Sequence, residues 1–432
     1  MMMILQPKIR DGLSTYAASA STTTATVAST TTAANFRSLK PAEMSAACLP
    51  GATRRPHICF VAPEVWPVLS RNTDIEVVGG AEVQQSILAR LLARAGYRVS
   101  MICFDYGQPK RVSIDGISVL RCHARDAGLP VWRFIHPRLT GIWHAMCEIN
   151  ADIYYQRSAG MLTAVVAAFC HRHGKHSIYA SASDSEFVPG RQLIRYRRDR
   201  WLFERGLAGV DTIVVQNKTQ QRDCLAHYRR AATLIPSCYE LPANSHPGAG
   251  EYVLWVATLR RGKRPELFLE LARRLPHRRF VLAGGAAGND PGGQAYFDTI
   301  RDAASQLPNI EFTGFIPLAQ IEHRFDRARV VVNTSTFEGM PNVFLQAWAR
   351  GIPTVALIDV GARWQGKPLY CVAADLEMAA AEIDRLFDDD LYRTRAAVRC
   401  RDYFAATHSS EAVLAGYRPI LDAPTAGQGQ TT

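Results

Sequence analysis

A chain of 432 residues, 47% of them hydrophobic and 21% charged, has the composition of a globular protein and is long enough for two domains with full cores. Its 50 Lys plus Arg against 39 Asp plus Glu leave a net charge of +11, which favours anionic partners such as nucleotides, nucleic acid or an acidic membrane surface. No apolar run approaches the roughly 18 to 20 residues of a spanning helix, and the N-terminus lacks a basic start ahead of an apolar stretch, so neither an integral nor a secreted protein is expected.

In chain order, residues 1–54 form a predicted disordered extension. Ser14 to Asn35 is a run of Ser, Thr and Ala with almost no large apolar residue, too little to offset the entropy of ordering. A domain opens at Arg54-Arg55-Pro56 and occupies residues 55–236. Its apolar runs at Ile58 to Ala62, Val99 to Cys103, Ile117 to Leu120, Asp152 to Tyr155, Ser177 to Ala180 and Thr212 to Val215 read as strands. Helical stretches such as Ala81 to Ala95 and Met161 to His173 separate them. Pro236, Pro242, Pro247, Gly248 and Gly250 then mark a linker over 237–250. A second alternating series fills 251–400, with strands at Tyr252 to Ala257, Arg279 to Ala283, Ile310 to Thr313, Val330 to Asn333 and Pro353 to Leu357, and a helix at Pro265 to Leu275. The stretch 401–423 carries a predicted helix at about Glu411 to Leu421 that crosses back to the first domain, ahead of a loose tail. Strands alternating with helices imply an α/β fold, with two doubly wound parallel-sheet domains whose strand ends face a cleft, where such sheets bind ligands.

Ten scattered cysteines with no Cys-x-x-Cys pair suit buried thiols in a reducing cytosol. His171, His173 and His176 beside Cys170 read as a metal site or as a polar helix end, and no distant ligand pair supports the metal. Gly79-Gly80-Ala81-Glu82 opens a helix at which glycines allow close backbone approach to a diphosphate, though the pair also reads as a plain turn. It is not Gly-x-Gly-x-x-Gly, which argues against a nicotinamide dinucleotide site. In the second domain, Leu282-Ala283-Gly284-Gly285 closes a strand and Gly288 to Gly293 makes a loop at the cleft edge. Arg260-Arg261-Gly262-Lys263-Arg264 lies at a strand's mouth, where it is either a solvated face or the positive charge that a phosphate leaving group needs.

The most informative run is Phe337 to Pro353. Pro341 suits a first helical position, and Gly351 with Pro353 stops the helix, predicting a helix from about Pro341 to Arg350. Its free N–H groups favour phosphate. With Glu338 on the preceding loop and Gln346 inside the helix, the run could hold a sugar hydroxyl, a phosphate and a second polyol. Val343, Phe344, Ala347 and Trp348 equally make the apolar face of a capped core helix.

Taken together, Gly79-Gly80-Ala81-Glu82, the basic loop with Lys263, Asn309-Ile310-Glu311-Phe312-Thr313-Gly314-Phe315 and Ser335-Thr336-Phe337-Glu338-Gly339-Met340-Pro341-Asn342 resemble the retaining glycosyltransferases of family 4, over roughly Pro56 to Leu421. The resemblance implies the GT-B fold: two Rossmann-like domains, the first on the acceptor side and the second holding most of a nucleotide-sugar donor. It implies that Glu338, matching the first Glu of the family's Glu-x7-Glu signature, contacts donor-sugar hydroxyls. By the same resemblance Gly79 and Gly80 contact the diphosphate, Lys263 neutralises it, and Gly339, Met340, Pro341 and Asn342 belong to the donor site. The second Glu of the signature, which holds the ribose hydroxyls, is Gln346 here, whose amide can still donate and accept. The usual Arg near the start of the basic loop is Thr258, with Arg260 and Arg261 as the nearby cations. The His often found after the fifth strand is absent from Ala182-Ser183-Asp184-Ser185-Glu186, where Asp184 is the candidate for a place facing the acceptor.

The expected function is therefore transfer of a hexosyl unit, with retention, from a UDP- or GDP-sugar to the hydroxyl of a sugar or lipid-linked acceptor. Polysaccharide, glycolipid or glycoconjugate biosynthesis is the setting, and no metal or other cofactor is required. Arg191 to Arg205 carries six Arg interleaved with Leu193, Ile194, Tyr196, Trp201, Leu202 and Phe203. That mixture suits a helix lying on anionic lipid at the inner membrane face of a cytoplasmic protein, or a snorkelling helix packed on its own domain. No compact nucleic-acid motif accompanies the positive charge. The rivals are a binding-only protein of the same fold, motivated by Thr258 and Gln346, and an NAD-dependent dehydrogenase.

Overall fold

The computed structural model describes residues 55–71, 79–128, 135–245, 250–287, 290 and 292–423; the extension predicted at 1–54, the tail after 423 and parts of the glycine loop 288–293 lie outside them.

The first half runs β1 (His57–Val61), α1 (Trp66–Leu69), α2 (Gly80–Arg94), β2 (Arg98–Asp105), β3 (Arg111–Ile114), β4 (Ile117–Ala124), α3 (Thr140–Ile149), β5 (Ile153–Arg157), α4 (Met161–His173), β6 (His176–Ala180), α5 (Arg197–Gly209), β7 (Thr212–Val215), α6 (Lys218–Tyr228) and β8 (Thr233–Leu234). These strands form one sheet in the order β3-β4-β2-β1-β5-β6-β7-β8, with β3 antiparallel at the edge and the other pairings parallel. Ile58, Cys59, Phe60 and Val61 are all buried, as a strand covered on both faces requires. One face packs on α2, the other on α3 and α4, where Phe169 meets Tyr154 and Trp143. The short alternating strand β3 has no counterpart among the strands expected from sequence. Asp115 and Gly116, both with positive φ, form the two-residue turn to β4, and Asp-Gly is the signal that marks such a hairpin.

The second half runs β9 (Tyr252–Val256), α7 (Pro265–Arg274), β10 (Phe280–Ala283), α8 (Gly293–Ser305), β11 (Ile310–Gly314), α9 (Leu318–Asp326), β12 (Ala328–Asn333), α10 (Asn342–Arg350), β13 (Thr354–Ala356), a hairpin of β14 (Arg363–Trp364) and β15 (Lys367–Pro368), β16 (Cys371–Val372), α11 (Leu376–Asp388), α12 (Asp390–Thr407) and α13 (Ser410–Leu421). Its parallel sheet has the order β11-β10-β9-β12-β13-β16. Phe344, Trp348 and Tyr370 fill one face between α10 and α12, and Phe268, Leu271 and Phe280 fill the other under α7 and α11. The final helix α13 leaves this half and inserts Val413, Tyr417 and Leu421 into the core of the first sheet. Among the described residues no helix is long and apolar enough to cross a membrane.

Strand order sets where a ligand can sit. In each sheet the order reverses once, between β1 and β5 and between β9 and β12, and a crevice opens beyond the strand ends at such a reversal. The loops leaving β9 and β12 carry Lys263 and Glu338, and the segment between β1 and α2 carries Gly79. Pro341 proves to be the N-cap of α10 rather than its first helical residue. Its φ of −63° fits a helix, but its ψ of 128° is extended, so the helix starts one residue later. Gly351, at φ 71°, ends it as expected, with the Ile352 N–H reaching back to the Ala347 carbonyl at 2.9 Å.

Candidate functional site

The loops after β9 and β12 are stitched into one wall. The Thr334 hydroxyl donates to the Lys263 carbonyl at 2.7 Å and accepts from the Trp255 indole at 3.0 Å, while the Thr336 N–H reaches the Gly262 carbonyl at 2.9 Å. Arg264 turns inward through a left-handed conformation, φ 48°, and donates to the Thr334 and Ser335 carbonyls. Its role is to hold the loop, a place that the basic run alone does not distinguish from those of Arg260 and Arg261.

On this wall Lys263 and Glu338 meet. Lys263 Nζ lies 2.5 Å from Glu338 Oε1, which also accepts from the Ser335 hydroxyl at 2.5 Å and the Asn333 amide at 3.4 Å. Three donors thus hold one oxygen of Glu338, and none of the described residues donates to Oε2. The carboxylate is 13% exposed and the lysine 30%, so both reach the cleft without being fully solvated. Arg260 is exposed and close enough to Glu82 across the cleft to offset a little of the rise that burial gives its pKa, whereas Arg261 lies over the Tyr296 ring at 5.2 Å. The two arginines therefore face different ways.

Opposite this wall stands the N-terminus of α2. Gly79 is its N-cap, and the Glu82 side chain folds over it so closely that a Cβ at Gly79 would lie 2.0 Å from a carboxylate oxygen. Burial raises the pKa of Glu82, with a lesser push from Glu64. A carboxylate at the open amides of a helix occupies the kind of place an anion takes. Asn342, at the start of α10, donates to the Gly80 carbonyl at 3.2 Å, and Gln84 donates to the Asn342 side chain at 2.9 Å. Gln84 also pairs with both backbone groups of Cys238, at 2.8 and 3.0 Å. The start of α2, the start of α10 and the segment joining the two halves are thus locked at one point. Met340 is buried in the second core beside Phe344, so its side chain packs rather than lining open space.

Asp184 comes near Glu338. Its Oδ1 accepts from Asn217 at 2.9 Å and Gln220 at 2.7 Å, and burial raises its pKa, with smaller contributions from the like charges of Asp223 and Glu338. Gly339 lies close against the first half here, since a Cβ there would be 3.0 Å from the Ala182 carbonyl oxygen and 3.2 Å from the Gln220 amide nitrogen. Glu186, buried behind Asp184, accepts from the Tyr179 hydroxyl at 2.5 Å and from the Ala182 N–H at 3.1 Å, and burial lifts its pKa to about 7. Gln346 does not join the Glu338 cluster. Its amide nitrogen donates to Glu322 on α9 at 3.0 Å. His176 bonds to Thr212 and His173 packs on Phe169, and no group of three His, Cys, Asp or Glu is placed to share a metal among the described residues.

Residues 250–389 match the family model described as glycosyl transferases group 1, and residues 78–241 match that of glycosyltransferase family 4. A D-inositol 3-phosphate glycosyltransferase of Mycobacterium marinum is 28% identical over 191 residues, 41% of this chain and 40% of that protein. The lipopolysaccharide core biosynthesis glycosyltransferase LpsE of Rhizobium meliloti is 31% identical over 96 residues, 21% of this chain and 28% of its own length. The chain therefore spans less than half the length of these curated relatives. Among solved structures, a sucrose-phosphate synthase from Thermosynechococcus elongatus gives a TM-score of 0.67 at 17% identity, covering 85% of this chain and 100% of that one. Anabaena HepE in complex with UDP and glucose gives 0.63 at 15% identity, again covering 85% of this chain and 100% of the other. At such identities the likeness is one of fold, and the fold is GT-B.

Proposed function

We propose that the chain, whose residues 78–241 and 250–389 match glycosyltransferase family models, is a GT-B glycosyltransferase that moves a hexosyl unit from a nucleoside diphosphate sugar to an acceptor hydroxyl with retention of configuration. The observation that carries this reading is Glu338, held through one oxygen by Lys263, Ser335 and Asn333 at the cleft, with its second oxygen open to donors such as sugar hydroxyls. UDP and glucose in the HepE complex support a nucleotide-sugar donor.

In the proposed reaction the bond between the sugar's anomeric carbon and the diphosphate oxygen breaks, and the acceptor oxygen bonds to the same face of that carbon. The departing phosphate oxygen takes the acceptor's proton, so no protein base is required. Negative charge grows on the diphosphate as it leaves, and Lys263, Arg260 and the open amides of α10 offset it without a divalent ion. The diphosphate draws Lys263 from Glu338, coupling donor arrival to the freeing of the carboxylate. Glu82 withdraws from the Gly79 end of α2 to admit the anion, and Asp184 faces the acceptor. The acceptor is a sugar or a lipid-linked glycan precursor, in polysaccharide, glycolipid or glycoconjugate synthesis at the cytoplasmic membrane face.

The test is Glu338→Ala, screened against UDP- and GDP-sugars by mass spectrometry of the products. Loss of transfer with an unchanged melting curve is expected; full transfer by the variant removes Glu338 from the mechanism. The binding-only reading is motivated by Thr258 and Gln346, which stand where the family resemblance expects Arg and Glu. Calorimetric binding of a nucleotide sugar without release of free nucleotide, across acceptors, would establish it.

A further inference from the structure

The environment of Gln346 is a buried charge cluster. Arg350, whose side chain has no exposed surface, pairs with Glu322 at 2.7 Å and with Asp326 at 2.7 Å. Glu322 Oε2 also accepts from the Tyr239 hydroxyl at 2.6 Å, and that hydroxyl accepts from Arg350 at 2.9 Å. Glu322 Oε1 accepts from Gln346 Nε2 at 3.0 Å. Among the described residues one buried cation thus serves both carboxylates, and neutral donors add to it: the Tyr239 phenol and the Gln346 amide on Glu322, and the Ser245 hydroxyl on Asp326.

That arrangement fixes the amide's orientation. A carboxylate has no proton to give, so the group facing Glu322 must be the NH₂ of Gln346, and its carbonyl oxygen is turned to the other side. None of the described residues donates to that oxygen. A Glu at position 346 would bring a third carboxylate to Glu322 and Asp326, which already share Arg350, and like charges so placed cannot all stay ionised.

Resting on the donor-site reading above and on the ribose role that the family resemblance gives position 346, we propose that Glu322 is a positioning residue that makes an amide obligatory there and leaves its carbonyl oxygen to fill that role. Gln346 is then a working partner of Glu322 and no sign of decay. The acidic member of the pair stands on α9 instead of α10, and recognition of the nucleoside runs through a neutral oxygen. Through Tyr239 the same carboxylate also ties the ribose-facing amide to the segment between the two halves.

Melting temperatures of the unliganded full chain and calorimetric binding of UDP, each for wild type, Gln346→Glu, Gln346→Ala and the double variant Glu322→Gln/Gln346→Glu, test this. Gln346→Glu should melt below wild type at about pH 8, with the gap closing towards about pH 5 as the extra carboxyl takes a proton. UDP affinity should fall about tenfold in Gln346→Glu and in Gln346→Ala, but only the former should show the pH-dependent melting. The double variant exchanges the two groups: the amide now on α9 can accept from Tyr239 and Arg350 through its carbonyl, while its NH₂ donates to the carboxylate now on α10. Melting and UDP affinity should therefore return to within about twofold of wild type. A Gln346→Glu protein that melts in parallel with wild type at both pH values, or a double variant no better than Gln346→Glu, overturns the proposal. A wild-type protein that binds neither UDP nor GDP overturns the donor reading and the ribose contact with it, while the melting data still decide the Glu322–Gln346 coupling.

Discussion

Gln84 on α2 and Asn342 on α10, 258 positions apart in the chain, share a hydrogen bond of 2.9 Å across the cleft. Because Gln84 also holds both backbone groups of Cys238, one side chain joins the first half, the second half and the segment between them. Gln84→Leu should cost about 2 kcal/mol or more, since it leaves the buried Cys238 N–H and C=O without partners. Chemical denaturation measures this, and a variant as stable as wild type would show that the node is replaceable.

Lys263 is expected to act on the leaving group. Lys263→Ala should reduce turnover about a hundredfold or more, the scale on which removal of one preorganised electrostatic group acts. The loss should appear in kcat more than in KM, because the charge it offsets grows as the bond breaks. Steady-state kinetics with a saturating donor decides the point; a change confined to KM would make Lys263 only a binding residue.

Gly206 lets α5 lie directly on α4. A Cβ there would come within 2.4 Å of the Ala164 backbone nitrogen and 2.6 Å of the Thr163 carbonyl carbon, and backbone cannot swing aside. Gly206→Ala should therefore destabilise the fold by about 1–3 kcal/mol despite the better helix propensity of alanine. A raised melting temperature would contradict this packing.

His408 is buried between α12 and α13, with its Nδ1 proton donated to the Ser237 carbonyl at 2.7 Å, and burial lowers its pKa from 6.5 to about 4. The unfolded chain takes up a proton near the ordinary value, and the folded chain does not until about 4. Stability therefore falls as pH drops through that window. His408→Phe should lose about 1 kcal/mol at neutral pH with the hydrogen bond, yet show a shallower decline between those pH values. Melting curves against pH for the two proteins test the difference in slope.

The surface around the start of α5 leaves Leu193 88% exposed, Tyr196 54% and Trp201 58%. The cations beside them, Arg191, Arg195, Arg197, Arg198 and Arg205, are exposed too, and Arg195 and Arg205 lie over the Tyr196 and Trp201 rings. Apolar side chains among arginines suit the headgroup layer of an anionic bilayer. Changing Leu193, Tyr196 and Trp201 to Ser should lower sedimentation with phosphatidylglycerol vesicles several-fold, and raised salt should weaken the wild-type protein in the same assay. Equal sedimentation of both proteins would count against membrane contact.

Much of the fold is legible in the chain because buried parallel strands are short apolar runs, and β1, β5, β9 and β12 are all of that kind. Lys263 and Glu338 could be singled out since each sits at a recognisable strand end, and the adjacency of β9 and β12 closes the 75 positions between them. Other parts had no such signal. Glu322 matters through the packing of α9 on α10, which no spacing within either helix announces. Arg264 differs from its neighbours only by a left-handed backbone that turns it inward, and Gln84 looks like any polar residue on a helix until Cys238 and Asn342 are beside it.

The return of α13 to the first sheet has a consequence for biosynthesis. Val413, Tyr417 and Leu421 complete the core that begins with Ile58 and Phe60, and the Tyr97 hydroxyl bonds to Asp422 at 2.7 Å. The first half emerging from the ribosome therefore waits, with one sheet face incompletely covered, until α13 has been made as well. The second half can assemble its sheet in the meantime, so of the two halves the one translated earlier finishes folding later.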